Sequence, residues 1–162
     1  MTIKQVPSPN HSGPRSRPLI AIVLHIMDGS LKGTDAWFQN PASQASAHYG
    51  IGKDGEIHQY VQDSNVAWHA GRVDKPTVPV IPGVRPNYYT LGIEHEGWAK
   101  ENLPLELYVA SARLLRKLSK TYGLPLDPEH VWLHREVYSK KTCPGTLDRG
   151  LLLHLASHVE PE

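Results

Sequence analysis

Residues 18–30 read PLIAIVLHIMDGS, and this stretch decides the fold class. Leu19 to Met27 is a run of apolar and β-branched residues, closed by the turn pair Asp28-Gly29. A run this short and this apolar is a strand buried on both faces, the kind found in sheets covered by helices on either side. Side chains alternate along a strand, so Ala21, Val23 and His25 share one face. His25 is thus a lone imidazole at the end of an otherwise apolar strand. By itself it reads as a satisfied core histidine or as a ligand.

Outward from this strand, the remaining elements follow the same logic. GTDAWFQNP (33–41) predicts a short helix capped by Thr34 or Asp35 and stopped by Pro41. SAHYGIGKDGEIHQYV (46–61) predicts two strands joined by a hairpin at Lys53-Asp54-Gly55. From Arg72 to Asn87 the prolines at 76, 79, 82 and 86 exclude a helix or a central strand. A loop of that length is usually functional or mobile.

LGIEHEG (91–97) returns to strand character, with Glu94 and Glu96 on one face and Ile93 and His95 on the other. Geometry does not choose between the two carboxylates. Pro104 can open a helix, and Leu107, Ala110, Leu114, Leu115 and Leu118 give it an apolar stripe ended by Gly123 and Pro125. VWLH (131–134) predicts a short strand, and a last helix is expected from Thr146 to His158. The elements together predict one domain of strands and helices over 19–162. Residues 1–18 form a proline-rich N-terminal arm that cannot be helical.

The bulk properties exclude several function classes. At 162 residues the chain is long enough for one domain with a real core. A formal net charge of +1 gives no electrostatic drive toward nucleic acid. No stretch is long enough to span a membrane. A single cysteine excludes an internal disulfide. The arm has no apolar core of the kind a signal peptide needs.

That cysteine lies in HREVYSKKTCPG (134–145), nine residues after His134, two after Lys141 and directly before a Pro-Gly turn. Cys143 is a small buried hydrophobe, a nucleophile or a metal ligand. Two histidines and a cysteine would make an open zinc site, since catalytic zinc takes three protein ligands and keeps a fourth position free. Spacing alone does not link His25 to the other two.

Five ordered segments do. IVLHIMDGS, SAHYGIGKDGEIHQYV, AWHAG, LGIEHEG and HREVYSKKTCPG resemble, in order and separation, the zinc-dependent N-acetylmuramoyl-L-alanine amidases of type 2. That family includes phage lysozyme-type amidases and peptidoglycan recognition proteins. The resemblance implies an α/β fold, a central mixed β-sheet flanked by helices, with a zinc-floored groove on one face. It implies one zinc per chain, held by His25, His134 and Cys143. It assigns Glu94 as the catalytic acid–base and Lys141 as the stabiliser of the oxyanion. It implies hydrolysis of the amide joining N-acetylmuramic acid to L-alanine, with peptidoglycan as partner, no nucleic acid, no membrane insertion and a monomeric chain.

Several relatives carry an active-site tyrosine where this chain has Ala47, and Tyr49 is the expected partial substitute. Trp68 and His69 are expected at the groove edge, contacting substrate. His48, His58 and His95 are expected to be structural. Two other readings exist within the family: a binding module without catalysis, which typically lacks the third ligand, and a cytoplasmic muropeptide-recycling amidase, which tends to carry aspartate there. Cys143 points to a phage endolysin instead, made in the host cytoplasm and acting on the wall after release.

Overall fold

A computed structural model of the chain describes residues 1–159; the last three positions of the expected domain, 160–162, lie outside the described residues. The stretch that opened the sequence reading forms a strand, β3 (Ala21–Ile26), buried at every position. It sits inside a six-stranded mixed sheet. With β1 (Lys4–Gln5), β4 (Tyr49–Ile51), β5 (Ile57–Gln59), β7 (Thr90–His95) and β8 (Val131–Leu133), the spatial order is β1-β5-β4-β7-β3-β8. Only β4 and β5 run antiparallel, as the hairpin at 53–55 requires; the other pairs are parallel. A second, two-stranded sheet pairs β2 (His11–Pro14) with β6 (Asn65–Ala67).

The register sorts the side chains into two layers. Helix α2 (Leu105–Tyr122) and helix α4 (Arg149–His158) pack together, and their apolar faces join Ile22, Leu24, Tyr49, Ile51, Leu91 and Ile93 in the main core. On the opposite face, Ala21 and Val23 pack with Trp132, Tyr89 and Val137. Helix α1 (Leu31–Gln39) covers the rest of this second face, where Phe38 packs on Ala47 and Tyr60. Helices therefore flank the sheet on both sides. Along β7, Thr90, Gly92 and Glu94 alternate onto the second face, and His25 stands in register beside Glu94. The site is built there.

Three expectations need correction in detail. Helix α1 begins at Leu31, because the Ser30 hydroxyl accepts the Gly33 amide at 3.0 Å and caps it; Thr34 and Asp35 are already inside the helix. The last helix starts at Arg149, where Asp148 accepts the Leu151 amide; Thr146 still belongs to the turn over 143–146 before it. Pro104 is the residue before α2, not its first turn. The proline-rich arm is not helical, as expected, but it is fastened along its length. Its β1 strand extends the sheet, and Asn10 is buried with its amide facing the carbonyls of Phe38, Asn40 and Ala45.

Candidate metal centre and groove

His25 ends β3, and the short helix α3 (His134–Val137) carries His134 directly after β8. Because β8 lies beside β3, the two imidazoles meet: their Nδ1 atoms are 3.1 Å apart. Cys143 arrives from the loop after α3. Its sulfur lies 3.8 Å from His25 Nδ1 and accepts the Ile26 backbone amide at 3.3 Å. The loop is pinned by the Arg135 amide donating to the Cys143 carbonyl at 2.9 Å. The Cys143–Pro144 peptide is cis. Gly145 follows at φ +64°, pressed so closely on Ala99 that a Cβ would stand 2.3 Å from its carbonyl oxygen, so no other residue fits. One donor atom from each of His25, His134 and Cys143 lies within 4.8 Å of the others.

The electrostatics suit a cation at this point. Burial, then the neighbouring imidazoles, hold His25 well below its ordinary pKa; burial, then Lys141, lower His134 to about 4. Both rings are neutral near pH 7 and present bare nitrogens. Burial, followed by the Glu94 charge, pushes the Cys143 thiol up. A divalent cation reverses such a shift, because a coordinating thiol is deprotonated outright. Two imidazole nitrogens and one sulfur form a set that suits zinc.

Glu94 stands on the same face, beside His25 in the ladder. One of its carboxylate oxygens is buried with no hydrogen-bond partner. Burial, then the charge of Asp28, raises its pKa to about 8, with Lys141 opposing. A carboxyl group that titrates near neutrality beside a metal cluster is suited to moving protons. Asp28, with a left-handed backbone at φ 49°, was not anticipated from the sequence as part of this site.

A pocket of about 370 Å³ opens over the cluster, lined by Glu94, Asp28, Trp68, Lys141 and the three candidate ligands among others. A second hollow of about 600 Å³ adjoins it, shares Trp68, His69, His134 and Lys141, and adds Arg72 and Tyr138. Together they form a groove with a basic rim.

Two expected substrate contacts are placed differently. Tyr49 pairs with Ile93 in β4–β7 register and so faces the α2 layer, on the side of the sheet away from His25. It is buried, and its hydroxyl donates to Asp63 at 2.8 Å. It does not share a face with Ala47, because the strand begins only at Tyr49 and Ala47 packs in the other layer with Phe38. Tyr49 therefore does not reach the groove in place of Ala47. His69 lies in the groove wall, but both ring nitrogens are engaged, with His25 at 3.0 Å and Thr90 at 3.3 Å. Trp68 lines the groove, half-buried, its indole donating to Ser12. Glu96 is neither solvated nor at the groove edge: its carboxylate accepts the backbone amides of Leu31 and Lys53, at 3.1 and 2.7 Å.

The expected structural histidines are buried in networks. His95 donates through Nδ1 to the His25 carbonyl at 2.9 Å and accepts from Ser111 at 2.8 Å, which braces the strand that carries the ligand. His48 accepts the Gly92 amide at 3.0 Å, and His58 contacts Asp35 at 2.8 Å.

A mixed sheet between helix layers, with a candidate N₂S metal cluster and a carboxyl group in one groove, defines the class: a single-domain α/β protein with a candidate metal site. Comparison with known sequences supplies the family. The chain belongs to the N-acetylmuramoyl-L-alanine amidase family, whose sequence profile matches residues 15–146. It is 41% identical over 107 residues to N-acetylmuramoyl-L-alanine amidase A of Achromobacter lyticus, covering 64% of this chain and 53% of that protein. The chain thus spans about half the length of the curated relative it matches. Among solved structures, a selenomethionine derivative of AmpD superposes with a TM-score of 0.78 at 25% identity, covering 94% of this chain and 93% of the other. A mutant endolysin from Bacillus subtilis gives a TM-score of 0.67 at 22% identity over 89% and 90% of the two chains.

Proposed function

We propose that this chain is a zinc-dependent amidase that cleaves the bond between the lactyl group of N-acetylmuramic acid and L-alanine in peptidoglycan. The observation that carries the reading is the joint placement of His25, His134 and Cys143 within 4.8 Å, with Glu94, one of whose carboxylate oxygens is buried without a hydrogen-bond partner, on the same sheet face. Zinc, when bound by those three residues, supplies Lewis acidity toward a carbonyl and an acidified water.

The chain's own groups do the rest. Glu94 accepts a proton as water adds to the lactyl carbonyl carbon, and returns one to the nitrogen as the C–N bond breaks. Such general acid–base work contributes about 100- to 10,000-fold. Lys141 lines the pocket and its charge bears on Glu94 and both histidines, so it is placed to stabilise the oxyanion that forms on that carbonyl. Trp68 offers a flat surface in the groove for the sugar or the peptide stem.

The finer reading is a phage endolysin that lyses the host wall, supported by cysteine as third ligand in the family resemblance. Digestion of purified sacculi tests the chemistry. Free L-alanine amino termini should appear with no new reducing sugars. Reducing ends without amines would make the protein a glycosidase, and tight binding with no cleavage would make it a binding module. Turnover on intact sacculi should exceed turnover on soluble muropeptides; the reverse would favour recycling over lysis.

A further inference from the structure

Behind the candidate metal centre runs a chain of hydrogen bonds whose direction can be read atom by atom. The Thr90 hydroxyl donates its single proton to the Pro86 carbonyl at 2.7 Å. It therefore has none to give His69 Nε2, 3.3 Å away, so that nitrogen must be the donor. The polar contacts of the His69 ring are the His25 imidazole and the Thr90 hydroxyl, with no carboxylate among them to hold an imidazolium, so the ring is neutral. A neutral imidazole has one N–H, so with Nε2 protonated its Nδ1 is bare and accepts. The group 3.0 Å from that Nδ1 is His25 Nε2, which must then carry the proton of His25. The remaining nitrogen of His25, Nδ1, is left bare, and it faces His134 Nδ1 and the Cys143 sulfur.

We infer that His69 and Thr90 are positioning residues: they set the tautomer and ring angle of His25 so that its Nδ1 is presented to the metal. The inference rests on the zinc reading above. A histidine ligand generally donates its other N–H to a fixed acceptor, which sharpens its basicity and orientation. That acceptor is usually a carboxylate or a carbonyl; here it is a second imidazole, fixed in turn by a hydroxyl.

The seat for His69 is built on purpose-shaped neighbours. Its ring lies against Gly92, where a Cβ would stand 2.5 Å from the ring carbon Cγ. Its backbone amide and that of Ala70 donate to the Asn87 side chain at 3.1 and 2.7 Å. The sheet face next to Glu94 thus keeps a glycine to make room for the ring, and Thr90 on the same face holds its far nitrogen.

Two measurements test the relay. In uniformly ¹⁵N-labelled, zinc-loaded protein, a ¹⁵N–¹⁵N coupling across the hydrogen bond should join His25 Nε2 to His69 Nδ1, with the proton on His25. Zinc affinity, read by competition with a chromophoric chelator, should fall about 10- to 100-fold in His69→Leu. It should fall about tenfold in Thr90→Val, which leaves His69 Nε2 without its acceptor. His69→Asn should restore affinity to within about threefold of the parent, because its amide oxygen can accept in place of Nδ1. The relay is overturned if the shared proton resides on His69, or if folded His69→Leu and Thr90→Val both hold zinc as tightly as the parent. Should His69→Leu not fold, Thr90→Val and the coupling decide. A parent chain that binds no zinc would instead sink the proposed function, while the same coupling, read in the metal-free protein, would still report the direction of the bond.

Discussion

Glu94 and Glu96 sit two positions apart, yet the structure gives them opposite work. Glu94 has a buried oxygen with nothing to bond, whereas both oxygens of Glu96 accept backbone amides. Glu94→Gln keeps the shape and removes the basicity, so zinc content and melting temperature should stay near the parent while turnover falls at least about 100-fold. Glu96→Gln keeps one good acceptor of two, and should lower stability by about 1 to 2 kcal/mol with turnover of the folded protein retained. Comparison of zinc content, melting and turnover for the two variants checks both statements; activity lost only in Glu96→Gln would reverse the assignment. At the cluster itself, Cys143→Ser replaces a soft ligand by a poor one. Elemental analysis should find much less zinc, and full occupancy would remove Cys143 from the ligand set.

At the scale of elements, the N-terminal arm carries more than its composition suggests. The Asn10 side-chain amide serves carbonyls at the end of α1 and in the turn after it, and the Asn10 backbone carbonyl accepts from the Ser46 hydroxyl. Asn10→Ala would leave several buried acceptors without partners, at about 1 to 3 kcal/mol. Urea unfolding should show a lowered midpoint with an unchanged slope. This tie was not legible beforehand, because one buried asparagine among prolines has no periodic signal. The strands were legible, since β3 is apolar apart from His25, β7 alternates Leu91 and Ile93 with Thr90, Gly92 and Glu94, and the 53–55 turn has its own chemistry. Helix starts were misplaced where a side-chain cap outweighed the local pattern, as at Ser30 and Asp148. The candidate ligands came from the order of motifs. The partners behind them did not: Thr90 and Gly92 share a face with Glu94 by simple alternation, but nothing in the spacing announces that His69 folds onto that face from the loop after β6.

For the whole molecule, buried neutral histidines set the response to acid. Burial lowers His48 to about 3 and His95 to about 4, and it is also the main cause holding His134 at about 4 and His25 and His69 well down. Each of these has a folded-state pKa below the unfolded value near 6.5. The unfolded chain therefore takes up protons first, so stability is complete above about pH 7 and is lost as pH falls from there toward about 4. If a net two protons or more are taken up on unfolding, the slope is about 3 kcal/mol per pH unit or steeper. Chemical unfolding of chelator-treated protein at successive pH values should show this fall; a flat profile between about pH 7 and 5 would mean these imidazoles are not held neutral.

The two-residue strand β1 has a consequence beyond its contribution to the core. It lies outermost in the sheet order, with Val6 and Ser8 continuing its bonds to Gln59 and Tyr60, and so it covers the open edge of β5. An uncovered strand edge is a template for another chain, and natural sheets guard against this with short, charged edge strands. Lys4 on β1 meets that description, with its ammonium 3.5 Å from Glu56. Loss of the first ten residues would turn Ile57–Gln59 into an adhesive border, and the shortened protein should self-associate as its concentration rises, in sedimentation, while the intact chain does not. The arm is thus a guard against unwanted company as much as a part of the fold.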